Sequence, residues 1–325
     1  MELPIELKSV IHKKLEDIDI KLLQKEAENI SFKYRNESGK GSRLVTKEME
    51  ALSYSVVRMP ATFGAVYTVL KNFFQVYAPN GNVNEIKSLL DVGAGTGTAT
   101  WAANEFLDFE KSMCLEREDV MLNLGKMLMS ESDNEEMKKV IWNKFDLIKD
   151  DIAEKADLVI CSYVLNELST EEREKAVKKL WNSTNKFLVI IEPGTPLGFS
   201  YIKSMREQLV KCGGYIVAPC PNSDNCLMPE NDWCHATCRV SRSKEHKMLK
   251  NGDVPYEDEK FSYIVVAKER FEVDNIVRVL RHPKIEPGRI SLDVCSFEGI
   301  KNVVVTKKDK DLFKKARKVN CGDLF

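Results

Sequence analysis

Three cysteines, Cys220, Cys226 and Cys234, stand in one polar stretch, C-P-N-S-D-N-C-L-M-P-E-N-D-W-C-H. Pro221, Pro229 and the Asn and Asp residues make that stretch a loop. A free thiol usually packs as a small apolar group. Three in a polar loop point instead to a shared metal, and soft thiolates select zinc, copper(I) or iron–sulfur clusters. Closed zinc sites and cubane iron–sulfur sites both take four ligands. The candidates for the fourth are His235, Cys238 and Cys295. His235 adjoins Cys234, which strains joint binding. Cys238 lies four residues on and would share a helix face with Cys234. Cys295 is remote but lies on a hairpin that could fold back onto the loop. The spacing C-x5-C-x7-C is wider than the usual zinc pattern. Cys114 and Cys161, in apolar runs, are expected core thiols.

A second constellation is Asp91-Val92-Gly93-Ala94-Gly95-Thr96-Gly97, which follows an apolar strand and opens a helix. Glycines there let the backbone turn sharply and approach a ligand, and the helix N-terminus offers free N–H donors. The dinucleotide fingerprint is G-x-G-x-x-G, whereas this loop reads G-x-G-x-G with Thr98 next. Asp91 would repel a pyrophosphate and suits a ligand bearing an ammonium or a sulfonium. S-adenosylmethionine carries both. Glu116, ending the next strand, is placed for ribose hydroxyls. On the adenine side, Asp150 or Asp151 is the candidate acid. The expected ligand contacts are Asp91, Gly93, Ala94, Gly95, Gly97, Glu116, Asp151 and Ser162. After the fourth strand, Asn166 and Glu167 either face ligand and acceptor or simply start the next helix. The N/D-P-P-Y signature of amino-group methylases is absent, and no catalytic residue is assigned.

These residues need a frame. Residues 1–80 read as helical: Leu7, Val10, Ile11, Leu15, Ile18 and Leu22 recur at helical spacing. Asn36 to Ser42 reads as a loop, and two helices follow, the first halted near Pro60. From Ile86 strands and helices alternate. The strands are S-L-L-D-V-G, S-M-C-L-E, A-D-L-V-I-C-S-Y, F-L-V-I-I-E-P-G and Y-I-V-A-P. The helix after residue 168 has Ser169 or Thr170 as its cap. Such β-α-β units make a doubly wound sheet. The expected architecture is α/β, a Rossmann-like class I S-adenosylmethionine-dependent methyltransferase sheet. It divides into a helical region (1–80), a methyltransferase-like core (81–218) and an extension (219–325). The extension holds the cysteine loop, the last core strand F-S-Y-I-V-V-A-K and a hairpin turning near Glu298-Gly299.

The 325 residues can bury a sizeable core, and 43% hydrophobic with 30% charged residues is a globular balance. No run of apolar residues is long enough for a membrane span. The first residues, M-E-L-P-I-E-L-K, lack the apolar core of a secretory signal and carry acids unsuited to a presequence, so a cytoplasmic protein is expected, and a monomer is taken as the default. The net charge of −1 excludes a protein that coats nucleic acid all round. Local basic patches remain: eight Lys/Arg against three Asp from Lys301 to Phe325, and five against one Glu from Arg239 to Lys250. For each, the plain alternative to a phosphate-binding patch is a solvated helix face.

The chain resembles a known family, the methyltransferase-like assembly factors of the small ribosomal subunit, best known from mitochondria and with shorter bacterial relatives. The resemblance runs from about Glu48 to the C-terminus. It rests on A-L-S-Y-S-V-V-R-M-P-A-T-F-G-A-V (51–66), L-L-D-V-G-A-G-T-G-T-A-T-W-A-A (89–103), S-Y-V-L-N-E-L (162–168) and I-E-P-G-T-P-L-G-F (191–199). It continues in the cysteine segment (218–235, the most specific), E-D-E-K-F-S-Y (257–263) and L-D-V-C-S-F-E-G (292–299). It implies a 4Fe–4S cluster on Cys220, Cys226, Cys234 and Cys295, with zinc as the alternative metal. It also implies an S-adenosylmethionine pocket at the glycine loop and binding to small-subunit rRNA during ribosome assembly. The rival reading is an active rRNA methyltransferase with a structural metal.

Overall fold

The computed structural model of the chain describes residues 1–36, 43–221, 225–250, 252–270 and 276–325. The loop expected at Asn36–Ser42 lies outside the described residues from position 37 on, as do positions 222–224 of the cysteine loop.

Four helices lead: α1 (Ile5–Leu15), α2 (Ile20–Asn36), α3 (Glu48–Val57) and α4 (Met59–Tyr77). The run expected from Leu7 to Leu22 breaks between α1 and α2, so Leu7 and Ile11 are buried while Leu22 is exposed. Pro60 does not simply stop a helix. It sits in the first turn of α4, where its missing N–H costs nothing.

The core follows as β1 (Ser88–Val92), α5 (Thr98–Asn104), β2 (Lys111–Glu116), α6 (Asp119–Ser130), α7 (Glu135–Lys138), β3 (Ile141–Lys144) and β4 (Ala156–Ser162). It continues with α8 (Thr170–Asn182), β5 (Thr184–Pro193), α9 (Pro196–Lys211) and β6 (Tyr215–Ala218). Ser169 caps α8 and closes a reciprocal box with Glu172. Next come β7 (Ala236–Ser241), α10 (Lys244–Leu249) and β8 (Tyr256–Ala267).

The large sheet runs β3-β2-β1-β4-β5-β8-β6, with β7 paired to β8. Strands β1 to β5 are parallel. The chain then returns through β8, antiparallel between β5 and β6. One face of the sheet packs Leu89, Leu158, Val189 and Val265 against Phe63, Val66, Leu70 and Phe73 of α4. The other packs Leu90, Val159, Leu188 and Ile190 against Val177 and Leu180 of α8 and Met205 and Leu209 of α9. Burial on both faces explains the continuous apolar runs of β4 and β5.

The segment from Arg239, for which a helix face is the plain alternative, is in part a strand. Ala236, Cys238 and Val240 point inward, while Thr237, Arg239 and Ser241 alternate outward. That two-residue period outweighs the charge run, and it removes the helix face on which Cys234 and Cys238 would meet.

The end of the chain builds a second, antiparallel sheet from β9 (Arg278–Val279), β10 (Lys284–Glu286), β11 (Arg289–Ser296) and β12 (Gly299–Thr306), backed by α11 (Lys310–Ala316). The β11–β12 hairpin turns at Ser296↔Gly299, as its sequence predicts. Val279, Ile290, Leu292, Val294 and Val305 form its own small core with Ala316. It meets the main body through Gly322, whose carbonyl accepts from Asn72 (3.2 Å) and Arg278 (2.6 Å). A Cβ on Gly322 would sit 2.3 Å from that of Ala236, so only glycine allows this approach.

Candidate functional site

The glycine loop turns back at the end of β1. Gly93, Gly95 and Gly97 all have positive φ (71°, 58° and 78°), which side-chain-bearing residues rarely adopt. The Gly93 and Ala94 N–H groups donate to the Leu115 carbonyl (2.8 and 3.0 Å), tying the loop to β2. A side chain on Gly93 would strike Val164.

Beside the loop lies a cleft of about 1050 Å³. Gly93, Gly95, Glu116, Ser162, Asn166 and Glu167 line it. Glu116 accepts from the Gly95 N–H (2.6 Å) and the Glu118 N–H (2.8 Å). Burial raises its pKa, and those backbone donors oppose the rise.

Other expected contacts lie elsewhere. Ala94 and Gly97 belong to the loop but do not line the cleft, and the Gly97 N–H donates to the Ala94 carbonyl (2.7 Å). Asp91 is buried below it and braces the start of α5, accepting from the Thr100 N–H (3.1 Å) and hydroxyl (2.9 Å). Burial pushes its pKa up to about 7. Asp151 points to solvent (96% exposed), 3.5 Å from Lys179, and does not line the cleft. Asp150 accepts from the Asp146 N–H instead (2.8 Å). The acid of this stretch that lines the cleft is Asp146, next to Phe145 and Leu147. It follows β3, a short edge strand without clear alternation, which is why spacing alone missed it.

Asn166 and Glu167 ride a single 3-10 turn ahead of α8 rather than opening that helix. The far wall comes from the N-terminal helices through Tyr34, Tyr54 and Arg58. Tyr163 has a φ of 59°, the sole side-chain-bearing residue with positive φ among the described residues. Its hydroxyl donates to Glu259 (3.0 Å), which Arg58 approaches at 3.8 Å. Burial raises Glu167 to about 7.

Glu192, at the end of β5, is fully buried and accepts from the Leu165 N–H (2.9 Å). Burial pushes its pKa to about 8 from an ordinary 4.5. The folded state therefore keeps a proton that the unfolded chain releases, so stability falls as pH rises towards 8. Thermal melting from pH 6.5 to 8.5 is expected to show this fall, flattened in Glu192→Gln. His235, pushed down to about 4 chiefly by burial, opposes this fall until about a unit above its ordinary 6.5, equally in both proteins. Equal slopes in the two proteins would count against a buried neutral Glu192.

The cysteines form a separate site. Cys220, Cys226, Cys234 and Cys295 all line one cavity of about 50 Å³. Cys220 follows β6, Cys234 precedes β7, and Cys295 lies on β11 between Arg278 and Ile300. Burial raises the Cys220 and Cys234 thiols and lifts Cys295 to about 11. Among the described residues, no three metal-ligating side chains are grouped closely enough to hold one metal ion. His235 reaches the cavity with its ring stacked on Trp233, 5.8 Å away. Cys238 lies outside it, facing Gly64 of α4. Cys114 and Cys161 are fully buried in the sheet, as expected.

Spacing arguments also missed two arginines at this cavity, Arg206 and Arg278. The signal was present. Arg206 sits on the buried stripe Ile202-Met205-Leu209, and Arg278 interrupts the apolar run I-V-R-V-L.

A parallel sheet re-entered by one antiparallel strand, with a glycine loop after β1 and an acid ending β2, defines a class I methyltransferase fold. Solved structures resemble it. Magnesium protoporphyrin IX methyltransferase from Synechocystis is 13% identical, with 78% of this chain and 99% of that one covered and a TM-score of 0.42. A SAM-dependent methyltransferase from Aquifex aeolicus is 14% identical, with 69% and 100% covered and a TM-score of 0.42. The chain belongs to the Rsm22 family (Mitochondrial small ribosomal subunit Rsm22), which matches residues 48–325. It is similar to the human ribosome assembly protein METTL17, mitochondrial, with 27% identity over 306 residues. That match covers 87% of this chain and 66% of the human protein.

Proposed function

We propose that this protein acts on small ribosomal subunit RNA during ribosome assembly, binds S-adenosylmethionine in its cleft, and carries a 4Fe–4S cluster on Cys220, Cys226, Cys234 and Cys295. The observation that supports this reading is the meeting of four cysteines, three from one loop and one from β11, around one cavity where the core abuts the C-terminal sheet. The four cysteines line one cavity and, among the described residues, are not grouped closely enough for a single metal ion, a spacing that the larger cubane tolerates better than a lone zinc ion. The cluster would staple β11 to the loop at 220–234, in the way metal binding contributes folding free energy. In the cleft, Gly93, Gly95, Glu116 and Ser162 would hold S-adenosylmethionine, with Asp146 on the adenine side. Bound there, the ligand supplies a methyl group on a sulfonium.

Charge separation supports RNA as partner. Residues 276–325 carry twelve Lys/Arg against six Asp/Glu, while the whole chain is at −1. Lys307, Lys308, Lys310, Lys314 and Lys318 are exposed beside α11. Phosphate contacts release counterions, so affinity should depend on salt. The triple variant Lys307→Glu, Lys308→Glu, Lys310→Glu should bind isolated small subunits more weakly. Its log–log salt slope should be shallower by about 2. An unchanged slope would remove α11 from the interface. A cytoplasmic site of action belongs to this reading, and no helix among the described residues is long and apolar enough to cross a membrane.

One observation favours turnover. Glu167 lines the cleft with a pKa near 7, the range suited to taking a proton from an acceptor. Transfer of labelled methyl to small subunits, abolished by Glu167→Gln while ligand binding persists, is the result expected of an active rRNA methyltransferase. Particle binding without label supports an assembly platform.

A further inference from the structure

The second sheet packs one face and leaves much of the other in water. Ile290, Leu292, Val294 and Val305 point inward and pack with Ala316 of α11. The alternate residues of β11 and β12 point the other way. Across the strands Cys295 pairs with Ile300, Asp293 with Asn302 and Ser291 with Val304, and Lys284 of β10 pairs with Ser291. Cys295 turns into the cysteine cavity, but Ile300 and Val304 stay 38% and 50% exposed. Asp293 accepts from the Asn302 side chain (2.8 Å).

At the end of this face stands Phe297, 70% exposed. It is one of the two turn residues between Ser296 and Gly299. Gly, Asn, Asp, Ser and Pro dominate such positions, so turn chemistry does not call for a ring here. Packing does not call for it either, since the ring buries little. The tip is braced all the same. The Ser296 hydroxyl donates to the Gly299 carbonyl (3.1 Å), and Lys301 pairs with Glu298 (2.5 Å). A braced aromatic side chain loses little freedom when it docks.

The charges select the partner. Lys284 and Lys301 stand among these apolar groups, and Lys307 and Lys308 follow at the far end of β12; all four are exposed. That end lies about 25 Å from the tip. The centre of a protein-binding patch is depleted in lysine. Apolar and aromatic groups interleaved with lysines suit single-stranded nucleic acid, where a ring takes the face of a base and lysines take phosphates. A duplex hides its base faces, so the strand must be unpaired.

We propose that the β11–β12 tip and the outer face of β12 form a docking surface for an unpaired stretch of small-subunit RNA, with Phe297 as the anchor on which one base stacks. This rests on the reading of RNA as partner and adds to it the form of the RNA and the side chain that grips it.

The test is equilibrium binding of the full chain to protein-free small-subunit rRNA and to isolated small subunits, each over a range of salt. Phe297→Ala is expected to weaken both about 5- to 150-fold. The salt slope should not change, because a stacked ring releases no counterion. Phe297→Trp, which keeps a ring, should bind like wild type. Phe297→Leu keeps apolar bulk without the ring and should lose affinity as alanine does. It carries the test if alanine alters the melting midpoint. Affinity retained in Phe297→Ala, or lost in Phe297→Trp, would overturn the inference while leaving RNA as partner. A loss seen on particles but not on bare rRNA would assign the tip to a ribosomal protein and overturn it too. Wild-type protein that binds neither probe would overturn the RNA reading itself.

Discussion

Cys295→Ser is expected to lose most of the bound metal and to melt about 10 °C lower. Cys295 is the sole cavity thiol supplied by the C-terminal sheet. The other three come from the loop between β6 and β7. If the proposed cluster is present, losing Cys295 would remove a ligand and the link between two bodies that have separate apolar cores. Metal affinity at such a site is folding free energy. A loss of roughly 4 kcal/mol is modest on that scale, and each kcal/mol moves the midpoint of a chain this size by about 2–4 °C. The methyltransferase core keeps its two packed faces, so S-adenosylmethionine binding should survive while small-subunit binding falls. Cys212→Ser, at an exposed thiol, is the control. A Cys295→Ser protein with full metal content and an unchanged midpoint would contradict the staple.

Gly95→Val should abolish measurable S-adenosylmethionine binding, with affinity at least 100-fold lower by titration calorimetry. Gly95 has a φ of 58°, and a Cβ there meets little but Met121 Cε at 3.4 Å. The added side chain is therefore not crushed by the fold but projects beside the cleft where the ligand must lie. A β-branched residue also resists this φ, at about 1–2 kcal/mol. That cost leaves the chain folded but displaces the N–H that holds Glu116. The variant thus damages backbone approach and acid placement together. Undiminished affinity would mean that the ligand sits elsewhere.

Local patterns were the legible ones. Strand, glycine loop and helix are contiguous, so Gly93, Gly95 and Glu116 could be placed from sequence, and the cleft does contain them. Asp91 was harder: it was expected to face the ligand, but its carboxyl turns under the loop to Thr100, a choice made by tertiary packing. Asp151 was expected on the cleft and lies outside it while Asp146 lines it, and β3 carries no readable period that would have placed either. The β7 strand was obscured by charges on its outward face, and with it the reason Cys238 points away from the other thiols. Spacing left His235, Cys238 and Cys295 open. Only folding through β8 and the second sheet brings Cys295 to the cavity, a contact between residues sixty positions apart. The helical wall over the cleft, with Tyr34 and Arg58, was equally non-local.

Iron and acid-labile sulfide, assayed on protein purified without oxygen, test the central claim most directly. About four of each per chain is the expected result, lost together in the cysteine variants. A single equivalent of zinc, or protein that is folded and binds small subunits with no metal at all, would contradict it.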